Sequence, residues 1–326
     1  MKYLKLFESF EEGDESLSES SDLTSPSESI ESICNRFRIK NWTVNSDGTI
    51  DVDGSVEMVY IKLKKLPLKF GKVTGNFWCY HNELVTLEGA PREVGGDFNC
   101  ASNNLSSLEG GPTHVSGDYA CYNNELINLK YVPIKVGGDF NCATNKLTNL
   151  EGGPREVGGD FSCSFNKLIS LEGAPIEIGG HFDCSYCKIT SLKSGPSKVG
   201  GDFSCSVNEL TTLIGGPKEV GGDFNCSTNL LTSLEGAPKV VGDYFYCDGN
   251  KLISLEGAPS YVGGDFRCNG NPIFAVYKLF PNYKSYKDSL DYSYLRGTNI
   301  VKSRFQEALD EIGINIPESI PGWKYI

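Results

Sequence analysis

Ten cysteines stand in strict arithmetic progression: Cys79, Cys100, Cys121, Cys142, Cys163, Cys184, Cys205, Cys226, Cys247 and Cys268, each 21 residues after the last. Cysteine can form disulfides, ligate metal or act as a nucleophile, so the column raises three chemistries at once. If the period is one coil of a parallel stack, neighbouring cysteines lie ~4.8 Å apart, inside the span that a disulfide bridges. Parallel side chains pointing inward do not point at one another, however, and a buried thiol packs as a small hydrophobe. The column is expected to be core. Cys184-Ser-Tyr-Cys187 has the spacing of a redox pair or half a zinc site, but no second pair exists and both cysteines already fall on repeat columns. No metal and no cofactor is expected.

A second column is acidic: Asp97, Asp118, Asp139, Asp160, Asp202, Asp223 and Asp265. Stacked carboxylates could bind cations or a basic partner as a strip. The plainer expectation is local, each carboxylate accepting from the backbone amides of the adjoining Gly-Gly pair. Glu88, Glu109, Glu151, Glu172, Glu235 and Glu256 form a further column, interrupted by Lys130, Lys193 and Ile214, which reads as a solvated face. Asp47, Asp51 and Asp53 superficially suggest a calcium loop, yet the distal glutamate of an EF-hand is missing and hairpin turns account for them better. The histidines His81, His114 and His181 lie in separate coils, with no nucleophile and base brought together. The Gly-Gly pairs lack the Gly-Lys-Ser/Thr of a phosphate loop. An enzyme is not expected, nor a small-molecule substrate.

The remaining residues able to do work are aromatic. Most outward strand positions hold Asn, Ser, Ala or Thr, but Trp78, Tyr80, His81, Tyr122, Phe165, Tyr186 and Tyr246 stand among them. Large rings on a rigid sheet are the usual anchors of a protein interface.

These columns need a scaffold that repeats without insertion, which is the signature of a solenoid. The unit is Pro-x-x-Val-Gly-Gly-Asp-Phe-x-Cys-x-x-Asn-x-Leu-x-x-Leu-Glu-Gly-Ala/Gly, seen in full over residues 154–174. A single coil buries too little apolar surface to offset the entropy of ordering it, so stacking and caps must supply stability. Val56, Met58, Ile61, Leu63 and Leu66 match the apolar placement of the unit, and Met58 lies 21 residues before Cys79, which predicts a disguised first coil. Ahead of it, Ser25-Pro26-Ser27-Glu28 reads as a capping box. Ile30, Ile33, Cys34 and Phe37 follow at helical spacing, and Trp42, Val44, Asp47-Gly48, Ile50 and Val52 read as a β-hairpin.

The expected organisation is a disordered acidic serine-rich tail over 1–25, an N-terminal cap over 26–66, ten 21-residue repeats over 67–276 and a C-terminal helical cap over 277–326. The last region is rich in aromatics, including Tyr277, Phe280, Tyr292, Tyr294 and Trp323, and Val301, Phe305, Ala308, Leu309 and Ile312 predict a helix from about Thr298 to Gly313.

The run Phe-x-Cys-x-x-Asn-x-Leu resembles the leucine-rich repeat, with Phe and Cys in place of two leucines, over residues 56–276. The asparagine column is broken only by Cys187, and the family pattern takes Asn or Cys there. The resemblance implies a right-handed coil with parallel strands on one face and a buried asparagine ladder at the turn. The Gly- and Pro-rich return excludes a convex-side helix, so tight extended turns and a thin rod are expected, with a plain β-helix as the alternative. Some bacterial members carry a ubiquitin-ligase domain with a catalytic cysteine after the repeats, but no cysteine follows Cys268 here. The opening Met-Lys-Tyr-Leu-Lys-Leu-Phe-Glu is similar to leaders on bacteriophage proteins.

The net charge of -12 argues against nucleic acid and against an anionic membrane surface. No apolar run approaches the ~20 residues of a membrane span, and the N-terminus lacks the apolar core of a signal peptide. A reducing cytoplasm is therefore expected, with the cysteines free; if the chain is phage-encoded, that means the bacterial host's cytoplasm or the virion. Two functions remain open: a non-catalytic module that binds a protein partner through its strand face, or a passive structural rod.

Overall fold

The computed structural model describes residues 28–273, 295–296, 299–300, 302–310, 315–320 and 324–326. The acidic stretch expected over 1–25 and the aromatics Tyr277, Phe280, Tyr292, Tyr294 and Trp323 lie outside these residues.

The first element is the helix Ile30–Arg36. Its N-cap is Ser29, whose hydroxyl accepts from the Ser32 amide at 3.2 Å. The cap thus falls four residues beyond the serine expected from the Ser25–Glu28 box. Glu28 accepts from the Ser32 hydroxyl and pairs with Arg36, so it braces the helix from its side. Ile33 and Cys34 point into the core. Trp42–Val44 then pairs antiparallel with Ile50–Val52, the hairpin that the sequence predicts. Its turn is closed by Asp47, which accepts from the Thr49 amide and hydroxyl at 3.0 and 2.7 Å. Ile50–Val52 pairs in parallel with Phe70–Val73, which makes the hairpin the first rung of the stack. Val56–Glu57 pairs in parallel with Phe77–Trp78 and Met58 is buried, so the disguised coil is real.

Each regular coil contributes two short strands, such as Glu156–Val157 and Phe161–Ser162. Among the described residues these build a sheet of 12 strands and a sheet of 11 strands, parallel throughout except for the opening hairpin. The fold is a parallel-strand, leucine-rich-repeat-like solenoid with almost no helix. The expectation of strands on one face alone is corrected: the Val column forms a second sheet. Glycine follows the Val or Ile in most coils, with Thr74 and Ser116 as the exceptions, and gives the backbone room for this ladder. A Cβ on Gly158 would meet the Gly137 carbonyl oxygen at 2.1 Å, so at this coil glycine lets successive backbones approach, while Ser116 holds the same station with its amide 3.1 Å from the Val94 carbonyl. The Gly158 amide donates to the Val136 carbonyl at 3.1 Å, closing the second ladder.

Five side chains per coil point inward, as in Val157, Phe161, Cys163, Leu168 and Leu171, and they merge into one continuous core. The aromatic column Phe77 to Phe266 stacks ring on ring, with centroids 5.0 to 5.9 Å apart. Tyr119 is the one tyrosine in that column. Its hydroxyl is buried without a hydrogen-bond partner among the described residues.

The asparagine ladder is present. Asn145 Nδ2 donates to the carbonyls of Cys121, Cys142 and Ala143 at 3.1, 3.1 and 3.2 Å, and its Oδ1 accepts from the Leu126 amide at 3.0 Å. Each asparagine therefore ties its own turn to the coil before it. Cys187 occupies the same station with weaker contacts, its Sγ lying 3.7 and 3.5 Å from the carbonyls of Cys163 and Ser185.

At the far end, Lys302–Asp310 is helical, inside the span that the sequence predicts. Phe305, Leu309 and Ile320 are buried and join the core. Leu295–Arg296, Asn299–Ile300 and Lys324–Tyr325 form a three-stranded sheet. Among the described residues no helix is long and apolar enough to cross a membrane.

Candidate interaction face

The cysteines offer little reactivity. All are free, and those of the ten-member column are buried. Burial pushes the Cys79 thiol up to about 12 and raises the others of the column above the ordinary thiol range. A protonated buried thiol is neither a good nucleophile nor a ready ligand. Cys187 is half-buried, and burial raises its pKa although the Asn166 and Leu168 amides facing the sulfur pull it down. Among the described residues no three His, Cys, Asp or Glu side chains are grouped to hold a metal ion.

The acidic column is a ladder between coils. Asp97, Asp118 and Asp139 each accept, through Oδ1, from the amide of the next coil's Asp at 3.0, 2.8 and 2.7 Å. The ladder runs on from Asp160 to the His181 amide, from His181 Nδ1 to the Asp202 amide, and through Asp202 and Asp223 to the Tyr244 amide. The expected donors, the Gly-Gly amides beside each carboxylate, are not the ones used. Glycine matters here for space: a Cβ on Gly159 would lie 2.0 Å from Asp139 Oδ1. Burial first, and neighbouring carboxylates after it, hold Asp118 and Asp223 above the usual carboxylate range. Asp265 lies 3.6 Å from the Arg267 guanidinium.

The aromatic candidates sort into three stations along one edge of the rod. At the N-terminal station His81 stacks on Tyr60, centroids 4.6 Å apart at 12°, and Tyr80 meets Tyr60 edge-on at 5.6 Å. Trp78, Tyr80 and Tyr122 are half-buried, and Ala101, on the coil between Tyr80 and Tyr122, is fully buried. Burial raises the pKa of both tyrosines, with Tyr60 adding to each. At the middle station Phe165 and Tyr186 stack at 4.3 Å and 8°, yet remain 54% and 50% exposed. At the C-terminal station Tyr246 stacks with Tyr244 at 5.8 Å and the Arg267 guanidinium lies over both rings, 5.8 Å from Tyr244 and 5.4 Å from Tyr246.

The backbone beneath this edge is unusual. The residue two after each cysteine or its Met58 equivalent is left-handed: Tyr60, His81, Ser102, Asn123, Thr144, Phe165, Tyr186, Val207 and Thr228 have φ between +51 and +57°. Only Gly249 and Gly270 fill the column with the residue that this conformation favours. A side chain there costs ~1–2 kcal/mol, most for β-branched Thr144, Val207 and Thr228.

Three features of the edge escape the sequence reading. Tyr60 belongs to the degenerate coil, where no cysteine marks its column, though counting 21 residues back from His81 finds it. Tyr244 takes the place of an Asp, and Arg267 that of a small polar residue. Lys146, Lys167 and Lys188 occupy three successive coils of the column after the buried asparagine, which runs Glu83, Asn104, Glu125, Lys146, Lys167, Lys188, Glu209. Reading that column vertically exposes the run.

No family model matches this sequence, and no curated protein matches it. Among solved structures the chain is similar to YopM from Yersinia enterocolitica WA-314, with 16% identity and a TM-score of 0.39. The match covers 67% of this chain and 64% of that one, so this chain spans less than two-thirds of the YopM chain.

Proposed function

We propose that this solenoid is a non-catalytic interaction module that holds a protein partner along its outward aromatic edge. The observation that carries the reading is the set of three ring clusters, at Tyr60/Tyr80/His81, Phe165/Tyr186 and Tyr244/Tyr246, spaced along a rigid stack. Phe165 and Tyr186 are kept where glycine would cost less, half-exposed and touching each other. Strain retained at an exposed position is a pointer to use. The twelve cysteines, all unpaired, suit a reducing compartment such as the cytoplasm.

The passive rod is the second reading, and the two polar ladders favour it. Asparagine and aspartate columns that look like a recognition surface in sequence are consumed in holding coils together. The readings part on substitution. Trp78→Asn, Tyr80→Ala and Tyr122→Ala each install the residue that the next coil carries in that column, Asn99, Ala101 and Ala143. Such a triple variant should fold as the wild type does. A partner retained from lysate by wild type and lost by the variant supports the module; retention of the same proteins by both supports the rod.

A further inference from the structure

The chain is acidic overall, yet its middle station carries three successive lysines, flanked in their column by Glu125 and Glu209 and with Asp183 on the neighbouring strand position. Lys146, Lys167 and Lys188 are exposed on consecutive coils. Lys146 pairs with Glu125, whereas Lys167 and Lys188 make no ion pair with the described residues. Phe165 and Tyr186 stand on the same turns, each two residues before a lysine and separated from it by the inward station of Asn166 or Cys187. The edge therefore offers a cationic strip about 10 Å long, two coil spacings, beside a stacked and half-exposed ring pair.

The same chain contains the complement. Residues 8–22 hold Glu8, Glu11, Glu12, Asp14, Glu15, Glu19 and Asp22 and no basic residue, with Phe10 and Leu17 interleaved and Leu23 following. Glu11 to Glu15 places four acids over ~13 Å of extended chain, enough to span the lysine strip. We infer that the acidic segment Glu8–Asp22 docks in cis on the edge formed by Lys146, Lys167, Lys188, Phe165 and Tyr186. Reach permits it. From the coil of Met58 to that of Cys184 is six coil spacings, ~29 Å, while the twenty residues from Glu8 to Glu28 span up to ~66 Å. Exposed ion pairs are individually weak. Tethering raises the effective concentration of the segment to the millimolar range, so weak contacts suffice to hold it. An outside partner using the middle station would have to displace the segment. The inference does not need such a partner, since both surfaces belong to one chain.

The test is zero-length carbodiimide coupling of carboxylates to amines on the full chain, read by peptide mass spectrometry, in an equal mixture of 15N-labelled and unlabelled protein. The expected result is coupling of residues 8–22 mainly to Lys146, Lys167 and Lys188, in same-isotope pairs, falling steeply in 1 M salt, where the Debye length is ~3 Å. In Lys167→Glu/Lys188→Glu, whose replaced side chains are exposed and unpaired among the described residues, coupling to Lys146 should fall roughly tenfold, a loss of about 1.4 kcal/mol of docking free energy. Coupling spread evenly over other exposed lysines such as Lys218 and Lys239, dominance of mixed-isotope pairs, or undiminished coupling in the double variant would each overturn the inference.

Discussion

Cys187→Asn should stabilise this protein. In every other regular coil from Asn82 to Asn271 the asparagine carboxamide accepts from the leucine or isoleucine amide one coil earlier, at distances such as 3.0 Å from Leu147 to Asn166 and 3.0 Å from Ile189 to Asn208. At Cys187 the Leu168 amide faces a sulfur, a weak acceptor. An ill-satisfied buried amide costs ~1–3 kcal/mol, and exchanging two long S–H contacts for N–H donors adds a fraction of a net hydrogen bond, ~0.5–1.5 kcal/mol. The new side chain must fit a half-buried site slightly smaller than its own volume, which subtracts part of the gain, so the net expectation is about 1–2 kcal/mol. The local readout is amide hydrogen exchange at Leu168, which should slow by a factor of roughly 5–30 while Leu126 and Leu147 hold constant. The midpoint of chemical denaturation should rise in parallel. An unchanged Leu168 rate, or a lower midpoint, would refute the idea that the asparagine column is the seam between coils.

Three further outcomes are expected. Tyr119→Phe removes a buried hydroxyl that lacks a partner and restores the Phe of the column, so it should raise stability by ~1–2 kcal/mol in a denaturant melt. Val207→Gly relieves left-handed strain of ~1–2 kcal/mol at the price of glycine's chain entropy, for a net gain of about 0.5–1 kcal/mol; a loss would mean that the Val207 side chain packs more than its half-burial suggests. Asp118 and Asp223 are raised in the folded state, so they bind protons where the unfolded chain has lost them. Their contribution to stability therefore grows as pH falls from neutral through the folded pKa toward the ordinary ~3.9, and Asp118→Asn should be more stable than wild type at pH 7 with a flatter dependence below it, checked by thermal melts across that range.

Much of the fold is legible because the period never slips. Phe161, Cys163, Leu168 and Leu171 identify themselves as core by recurring in step, and Asn166 by sitting between them. The second sheet is not legible because Glu156–Val157 is too short to show strand alternation, and what makes it a strand is the preceding coil's approach at Gly158. A similar limit applies to Asp139: its period is visible, but which amide it meets depends on coil pitch. The candidate edge was half readable. Large side chains such as Phe165 and Tyr186 stand out against Asn and Ser, whereas their mutual stacking, their left-handed backbone and the neighbouring lysine run exist only once residues 21 apart are laid side by side.

The most direct test of the module reading is the affinity of a captured partner for wild type and for the column-matched variant Trp78→Asn/Tyr80→Ala/Tyr122→Ala, measured by titration calorimetry after circular dichroism shows equal folding. Removing the half-buried anchors of one station should weaken binding by roughly 30-fold or more, the ~2 kcal/mol of an interface hot spot. Affinities that agree within about twofold, under ~0.5 kcal/mol, would contradict the account and leave the solenoid a passive rod.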